Sequence, residues 1–495
     1  MASSTLQLVR LKRETGLALW MERVLEECDH ASASFGPDPV HDLRVALRRC
    51  RSVADGVMAI DPDPAWKQMK KAGRDLFRSL GALRDVHVMQ EWVQRLGAAD
   101  DPVTSALLQY LSAGELQFKQ EASKALVEFD RKQWKKWSAV LPRRAGRLRP
   151  GSAVFKHLAL ERWVQAHELH RLALRNRSKI ALHNLRIGLK RFRYIVENFL
   201  PEQHMSWSAD LKELQDLLGD VHDLDVLWAT ALKVNAFPAP ESRSHWQSRI
   251  LDERAQRVDK YRTRMLGKSS LWQVWRAALP EGKEIKAVAL TRLKLWASVL
   301  DPDFKHSNHV ARLALQLYDA LPAGEQSSDS DRSGQRAILQ LAALLHDVGR
   351  AKGEKKSHKT TYKLIYRLTP PLGFSAEDLH LAALVSRYHR GALPHPGQTS
   401  VRSLPPAQRQ SMVRLAGILR LTDAFDASRD GRIQHLHVET KQGFFEITAR
   451  GYSPRDRMAE GIAAARHLLE SVYGRPVMVK PEPASRKHPT LVQRN

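Results

Sequence analysis

One phrase of the 495-residue chain occurs twice. His41-Asp42-Leu43-Arg44-Val45-Ala46-Leu47-Arg48-Arg49-Cys50-Arg51 returns as His183-Asn184-Leu185-Arg186-Ile187-Gly188-Leu189-Lys190-Arg191-Phe192-Arg193. About 30 residues later each copy has an echo, Leu80-Gly81-Ala82-Leu83-Arg84-Asp85 and Leu218-Gly219-Asp220-Val221-His222-Asp223. The offsets between copies, 142 and 138 residues, nearly agree. Two homologous helical halves are the simplest explanation.

Residues 5 to about 277 read as helix after helix, with apolar residues at three- and four-residue spacing and few β-branched alternations. Breaks fall at FGPDP (35–39), DPDP (61–64), GAADDP (97–102), RLRPGS (147–152) and FPAPES (237–242). The first block therefore spans 5–277, in halves of about 5–150 and 151–277. A second helical block covers 288–430, with loops at AGEQSSDSDRSG (323–334) and TPPLGF (369–374). Beyond it, IQHLHVET and GFFEITAR alternate like strands across Lys441-Gln442-Gly443. A helix over about 456–472 and a short strand near 476–480 complete an α+β extension at 431–480. The end, 481–495, reads as a frayed tail. The expected fold class is mainly α: a two-fold repeated helical bundle, then an all-helical domain with a small α+β tail.

Composition excludes several classes. Apolar residues at 43% and charged residues at 27% are unlike a disordered or fibrous chain. No uncharged apolar run approaches the roughly 18–20 residues of a spanning helix. The opening MASSTLQLVRLKRETG lacks the apolar core of a signal peptide. Cys28 and Cys50, the only cysteines, are too few for a disulfide framework or a thiolate zinc site. A soluble cytoplasmic protein with no membrane partner is expected; the sequence is silent on oligomeric state.

Charge is the positive clue. The formal net charge is +25, and residues 101–200 hold 20 basic against 8 acidic side chains. Such an excess self-repels unless it meets a polyanion: nucleic acid, polyphosphate or an anionic surface. On a helix, His41, Arg44, Arg48 and Arg51 fall within one arc, with Leu43, Leu47, Cys50 and Ala54 beside them. His183, Arg186, Lys190 and Arg193 repeat the arrangement. Only Asp55 and Glu197 stand four residues from a stripe cation, at its far end, so most of the charge has no local partner. Guanidinium forks suit phosphate oxygens. The bland alternatives are a solvated face or an Arg–Asp lattice between halves, with Asp85 and Asp223 as buried partners. No base-reading module is visible, which leaves nonspecific nucleic-acid binding open.

The doubled H-x-L-R-x-x-[LI]-[RK]-R-x-R with its later L-G-x-x-x-D resembles the CHAD domain, the conserved histidine α-helical domain, over roughly 5–277. The resemblance implies two similar helical bundles around a basic pore that binds inorganic polyphosphate. By motif position it carries over His41, Arg44, Arg48, Arg49, Arg51, His183, Arg186, Lys190, Arg191 and Arg193 as polyanion contacts. Lys190 stands where an Arg is expected, keeping the charge and losing the fork.

The second block ends an apolar helix on Leu344-Leu345-His346-Asp347-Val348-Gly349. Imidazole and carboxylate side by side suit Mn, Fe or Zn. Upstream, periodicity turns His306 inward with Val310, Leu313 and Leu317, and leaves His309 flanking. Downstream, Asp423 lies inside an apolar helix and needs a partner, with Asp426 as its rival. His358 and His389 lie between.

The order H…HD…H…H…D resembles the HD superfamily of metal-dependent phosphohydrolases. Over 300–480 it is similar to the C-terminal region of the exopolyphosphatase and guanosine pentaphosphate phosphohydrolase family, through HSNHVARLALQLYDAL, LAALLHDVG, LAALVSRYHRGALP and LAGILRLTDAFDAS. The resemblance implies a divalent metal (Mn, Fe or Mg) on His306, His346, Asp347 and Asp423. His358 and His389 would take a second ion, with Asp347 bridging. Two departures stand out: only Ser357-His358-Lys359-Thr360 occupies the place of a His-rich cluster, and the CHAD-like block occupies that of the family's actin-like, ATPase-type domain.

The leading expectation is a metal-dependent phosphohydrolase with a polyphosphate-binding domain, acting on inorganic polyphosphate or a related phosphoanhydride. Asp347 and Arg350 are its catalytic candidates, and Lys352, Arg387 and Arg390 lie close enough in sequence to neutralise phosphate charge. Association with polyphosphate granules follows from that reading. The alternatives are a non-catalytic polyphosphate binder with an inactive HD scaffold, and a hydrolase of a nucleotide such as a guanosine polyphosphate.

Overall fold

Prolines set the rhythm of the first part of the chain. Pro37, Pro64, Pro102, Pro201 and Pro240 each sit in the first turn of a helix, where a missing N–H breaks no helical bond. Asp63 and Asp101 cap two of these helices, accepting from the N–H groups of Ala65 and Val103. A computed structural model describes residues 16–98, 100–176, 178–322 and 329–482. It divides the chain into two units between Val288 and Ala289.

In the first unit, one half contains α1 (Leu17–Ser34), α2 (Pro37–Val57), α3 (Pro64–Ser79), α4 (Gly81–Leu96), α5 (Pro102–Glu128) and α6 (Arg131–Ala145). The other contains α7 (Ala153–Asn176), α8 (Lys179–Phe199), α9 (Pro201–Lys233), α10 (Pro240–Met265) and α11 (Leu271–Ala277). The repeated phrase lies on α2 and α8, each 21 residues long. The 33-residue α9 corresponds to α3 and α4 together, which are interrupted at Leu80. Each half repeats one packing order: α1 on α2 on α3, and α7 on α8 on α9.

The halves meet where α2 packs on α8 and α4 on α9. Val86, Trp92 and Leu107 share one apolar cluster with Leu224, Leu227 and Trp246. Gly56 permits the α2–α8 approach, since a Cβ there would lie 2.1 Å from Cε2 of Phe199. The Phe199 ring in turn stacks on Phe155 at 4.1 Å between centroids.

The unit boundary falls within α12 (Gly282–Leu300). The second unit continues with α13 (Phe304–Ala320), α14 (Asp329–Leu345), a 3-10 turn (Val348–Lys352), α15 (Ser357–Tyr366), α16 (Ala376–Tyr388), α17 (Thr399–Arg402) and α18 (Pro406–Phe425). Helices α13, α14, α16 and α18 pack around one core that includes Leu313, Leu341, Leu384 and Leu419. Then come β1 (Leu436–Lys441), β2 (Phe444–Ala449), α19 (Met458–Tyr473) and β3 (Val477–Pro481). β1 runs antiparallel to β2 with Leu436 opposite Ala449, and β3 runs parallel to β2 with Val477 opposite Phe445. Phe445, Ile447 and Ala449 alternate inward. Gly443 makes the hairpin turn at φ 88°, a conformation that suits glycine.

The protein is thus mainly α with one small sheet, as its periodicity implies. One reading needs correction: α14 begins at Asp329, inside the stretch 323–334 expected to be a loop. Asp329 and Asp331 occupy its first turn, where carboxylates favour the positive helix end. Serine and aspartate therefore mark a helix start there as well as a loop. The expected helix start near residue 5 and the tail beyond 482 lie outside the described residues. Among the described residues no helix is long and apolar enough to cross a membrane.

Candidate functional site

Two clusters of ionisable side chains lie in separate units. In the first unit, the α2–α8 contact faces the two stripes toward each other. Arg44, Arg48, Arg186 and Lys190 come close enough that burial, then Arg186, Arg48 and Arg44, lower the Lys190 pKa to about 7, with Asp223 opposing. Burial also lowers Arg44 to about 10. That guanidinium sits 4.0 Å over the Phe77 ring and donates to the Phe77 carbonyl at 2.8 Å.

The two echo aspartates face this cluster. Asp223 is raised to about 6 by burial, against the pull of Arg186. Asp85 is also raised by burial, although its side chain stays accessible, and Arg44 and Arg186 oppose the shift. Among the described residues neither aspartate closes an ion pair or hydrogen bond, so the Arg–Asp lattice is not formed.

The remaining motif residues scatter. Arg51 lies 5.1 Å from the Phe77 ring, and Arg49 pairs with Glu197 and lies 5.3 Å from the Trp20 ring. Arg193 stands 4.0 Å from Glu197. Arg191 is exposed. His41 is exposed, and burial together with Arg84 and Arg48 lowers its pKa. His183 packs against His222 at 4.7 Å between centroids.

In the second unit, the site is assembled where helices end. His306 is in the first turn of α13, whose cap Asp303 accepts from its N–H. His346 and Asp347 follow the last residue of α14, and His389 caps α16. Asp423 is in the last turn of α18, and Asp426 caps it. The turn after His346 is locked by Thr361, whose hydroxyl donates to the His346 carbonyl at 2.9 Å and accepts from Gly349 N–H at 3.0 Å. Gly349 admits no side chain, since a Cβ there would lie 2.3 Å from the Ser357 carbonyl.

His306, His346, Asp347, His389, Asp423 and Asp426 are all buried. The carboxylate of Asp426 accepts from His306 Nδ1 at 2.7 Å, and Asp423 Oδ1 lies 3.1 Å from His306 Nε2. Burial pulls the His306 pKa down, but these two carboxylates hold it up at about 9. His346 is also raised: burial opposes, and the Asp423 and Asp347 carboxylates prevail. Asp423 and Asp347 are held well below the usual range; burial opposes this too, and the neighbouring histidines outweigh it, joined at Asp347 by Arg429. His389, buried beside His346, is lowered to about 4.

His346 donates through Nδ1 to the Ala343 carbonyl at 2.7 Å, and His389 through Nδ1 to the Ser386 carbonyl at 2.5 Å. Each Nε2 is thereby turned into the cluster with no hydrogen-bond partner, that of His346 standing 3.5 Å from Asp423 Oδ1, and Oδ1 of Asp347 is equally unpartnered. These orphaned buried atoms fit a metal ion. Two groups, His306–His346–Asp423 and His346–Asp347–His389, each bring one ligand atom per residue to within 4.8 Å of the others. His358 joins neither group. It stands against Gly391, with Arg387 and Arg390 acting on it after burial and lowering its pKa.

Guanidinium groups surround the cluster. Arg350 donates to Asp347 Oδ2 at 3.2 Å, and Arg390 to Asp423 Oδ2 at 3.0 Å. Arg387 lies 5.7 Å from the Tyr362 ring, and Lys352 is exposed. Sequence reasoning did not single out Arg429. In left-handed conformation (φ 59°) it bridges Asp347 at 2.6 Å and Asp303 at 2.8 Å. Nothing local marks it, because both partners are distant in sequence.

A repeated helical unit with facing basic helices, followed by a helical unit with a buried His/Asp set, defines the class of protein. Residues 21–232 match the family model of the CHAD domain. Residues 289–449 match that of the Ppx/GppA phosphatase, domain III. The chain therefore joins a CHAD domain to a domain III of the Ppx/GppA phosphatase type. The crystal structure of the CHAD domain from the plant Ricinus communis is similar at 22% identity and a TM-score of 0.36, over 53% of this chain and 90% of that one. No curated protein matches the chain.

Proposed function

We propose that this protein binds inorganic polyphosphate through its first unit and hydrolyses it, or a related phosphoanhydride, in its second. One observation carries the reading: the same chain holds an unneutralised basic cluster and a buried His/Asp cluster whose Nε2 and Oδ1 atoms lack partners. The four cations Arg44, Arg48, Arg186 and Lys190 repel one another, and a polyanion relieves that repulsion. In the second unit His306, His346, Asp347 and Asp423 would hold a divalent ion (Mn, Fe or Mg), with His389 beside them. Such an ion lowers the pKa of bound water and polarises a phosphoryl oxygen. Asp426 orients His306, and the carbonyls of Ala343 and Ser386 fix the tautomers of His346 and His389. Arg350 and Arg390 are poised to neutralise phosphate charge. The cytoplasm, at polyphosphate granules, is the location this reading implies, and other polyanions such as nucleic acid compete at the first unit.

A second reading has its own observation. Arg350 and Arg429 both bond Asp347 Oδ2, and Arg390 bonds Asp423. Guanidinium groups that satisfy the carboxylates compete with a metal and favour a silent scaffold on a polyphosphate binder. Phosphate release from long-chain polyphosphate by manganese-loaded protein, with Asp347→Ala as control, separates the two. Release by the wild type alone supports the hydrolase. Tight binding with no release supports the scaffold.

A further inference from the structure

A cavity of about 530 Å³ opens in the second unit between α12, α13 and α14. It is distinct from the buried cluster, since His306, His346, Asp347, His389 and Asp423 are all absent from its wall. Lys305, Asn308, Arg312 and Leu315 line it from α13 at three- and four-residue spacing, so they form one continuous face of that helix. Lys294 enters from α12.

Every fully charged side chain in the wall is a cation, and no carboxylate lines it. Lys294 and Lys305 are exposed and make no ion pair among the described residues. Arg312 is oriented by hydrogen bonds to His309 Nδ1 at 2.8 Å and Gln434 Oε1 at 2.5 Å. The rest of the wall has a different chemistry. Leu290, Leu315 and Leu344 present apolar surface, and the amides of Asn308 and Gln340 offer both donors and acceptors.

We propose that this cavity binds a nucleoside polyphosphate, with its phosphates on Lys294, Lys305 and Arg312 and its base against the leucines. A bare phosphate chain would leave the leucine wall and the amides unmatched, and an uncharged nucleoside would leave the three cations unmatched. The volume falls within the roughly 300–1,000 Å³ usual for small-ligand sites. This assignment is independent of whether the buried cluster hydrolyses anything.

The test is calorimetric titration of the full chain with ATP, inorganic tripolyphosphate and adenosine. Two double variants are compared: Lys294→Glu/Lys305→Glu, and Arg48→Glu/Arg186→Glu, with thermal melts to check folding. The cavity variant changes only exposed residues. Made in the Arg48→Glu/Arg186→Glu background, where the triphosphate of ATP can no longer bind the first unit, the cavity substitutions are expected to weaken ATP binding at least tenfold; made alone they leave tripolyphosphate binding at the first unit intact. The Arg48→Glu/Arg186→Glu protein should keep ATP binding at the cavity, and bind tripolyphosphate more weakly than ATP. Adenosine should bind at least tenfold more weakly than ATP. The proposal is overturned if ATP does not bind the Arg48→Glu/Arg186→Glu protein, or if that binding survives the added cavity substitutions. Equal affinity for tripolyphosphate and ATP in the Arg48→Glu/Arg186→Glu protein would remove the nucleoside from the assignment and overturn it as stated.

Discussion

Arg44, Arg48, Arg186 and Lys190 in the first unit, and His306, His346, Asp347 and Asp423 in the second, are both clusters of ionisable groups. Only in the second are opposite charges matched at hydrogen-bond distance. The basic cluster stays partly open to solvent, and its two aspartates close no pair. Its effect is a summed field, which acts over several ångströms and tolerates the loss of one member. The His/Asp cluster is buried, so each charge requires a partner and each partner has a fixed place. A charge field degrades gradually, and a buried, paired cluster fails at once.

The sharpest way to break this contrast is Asp347→Asn, which keeps shape and removes one carboxylate of the proposed metal set. On the proposed hydrolase reading, turnover should fall to background. The metal-induced gain in thermal stability, about 2.7 kcal/mol at a hundredfold excess over Kd, should vanish, with polyphosphate binding unchanged. Differential scanning calorimetry with and without manganese checks it. Retained turnover would refute the assignment of Asp347.

Reversing two charges in the open cluster, Arg48→Glu/Arg186→Glu, should reverse the pattern. Polyphosphate affinity falls on the order of 100-fold at low salt, and the slope of log affinity against log salt becomes shallower. Metal affinity in the second unit does not move. A parallel loss of metal binding would contradict two independent clusters. Asp426→Ala tests the support behind His306 and should cost about 10- to 100-fold in metal affinity, measured by competition with a chelating dye.

A smaller effect follows from Lys190. Its amine is held at about 7 by burial and then by Arg186 on its own helix and Arg48 and Arg44 on α2, with Asp223 on α9 opposing. Below pH 7 the amine is already charged in the free protein. Above it, polyphosphate binding must draw in a proton, so affinity falls as pH rises, by at most about tenfold per unit. Lys190→Arg should flatten that profile between pH 7 and 9. The least effect is expected from Arg191→Ala, an exposed residue on α8, which should change polyphosphate affinity by no more than about twofold at physiological salt.

Much of this architecture is legible in the residue pattern alone. The repeated phrase marks α2 and α8, because a helix face that must pack leaves a period in the sequence. The same logic turns His306 inward over His309, and both placements hold: His306 is buried, and His309 is only partly so. Asp423, alone in an apolar run, signals that it needs a partner. The loop reading fails from Asp329 on, because polar residues at a helix start resemble those of a loop.

Composition and periodicity by themselves determined a mainly helical chain with a doubled basic stripe and a set of inward His and Asp residues. Tertiary structure alone decided which of them meet. It put Asp426 behind His306 across 120 residues of sequence, and Arg429 on Asp347 across 82. It left His358 beside arginines and Asp85 without an ion pair. Periodicity reports whether a side chain faces the core, since burial acts on every turn of a helix. The choice of partner depends on where two distant helix ends come together, and no local spacing records that.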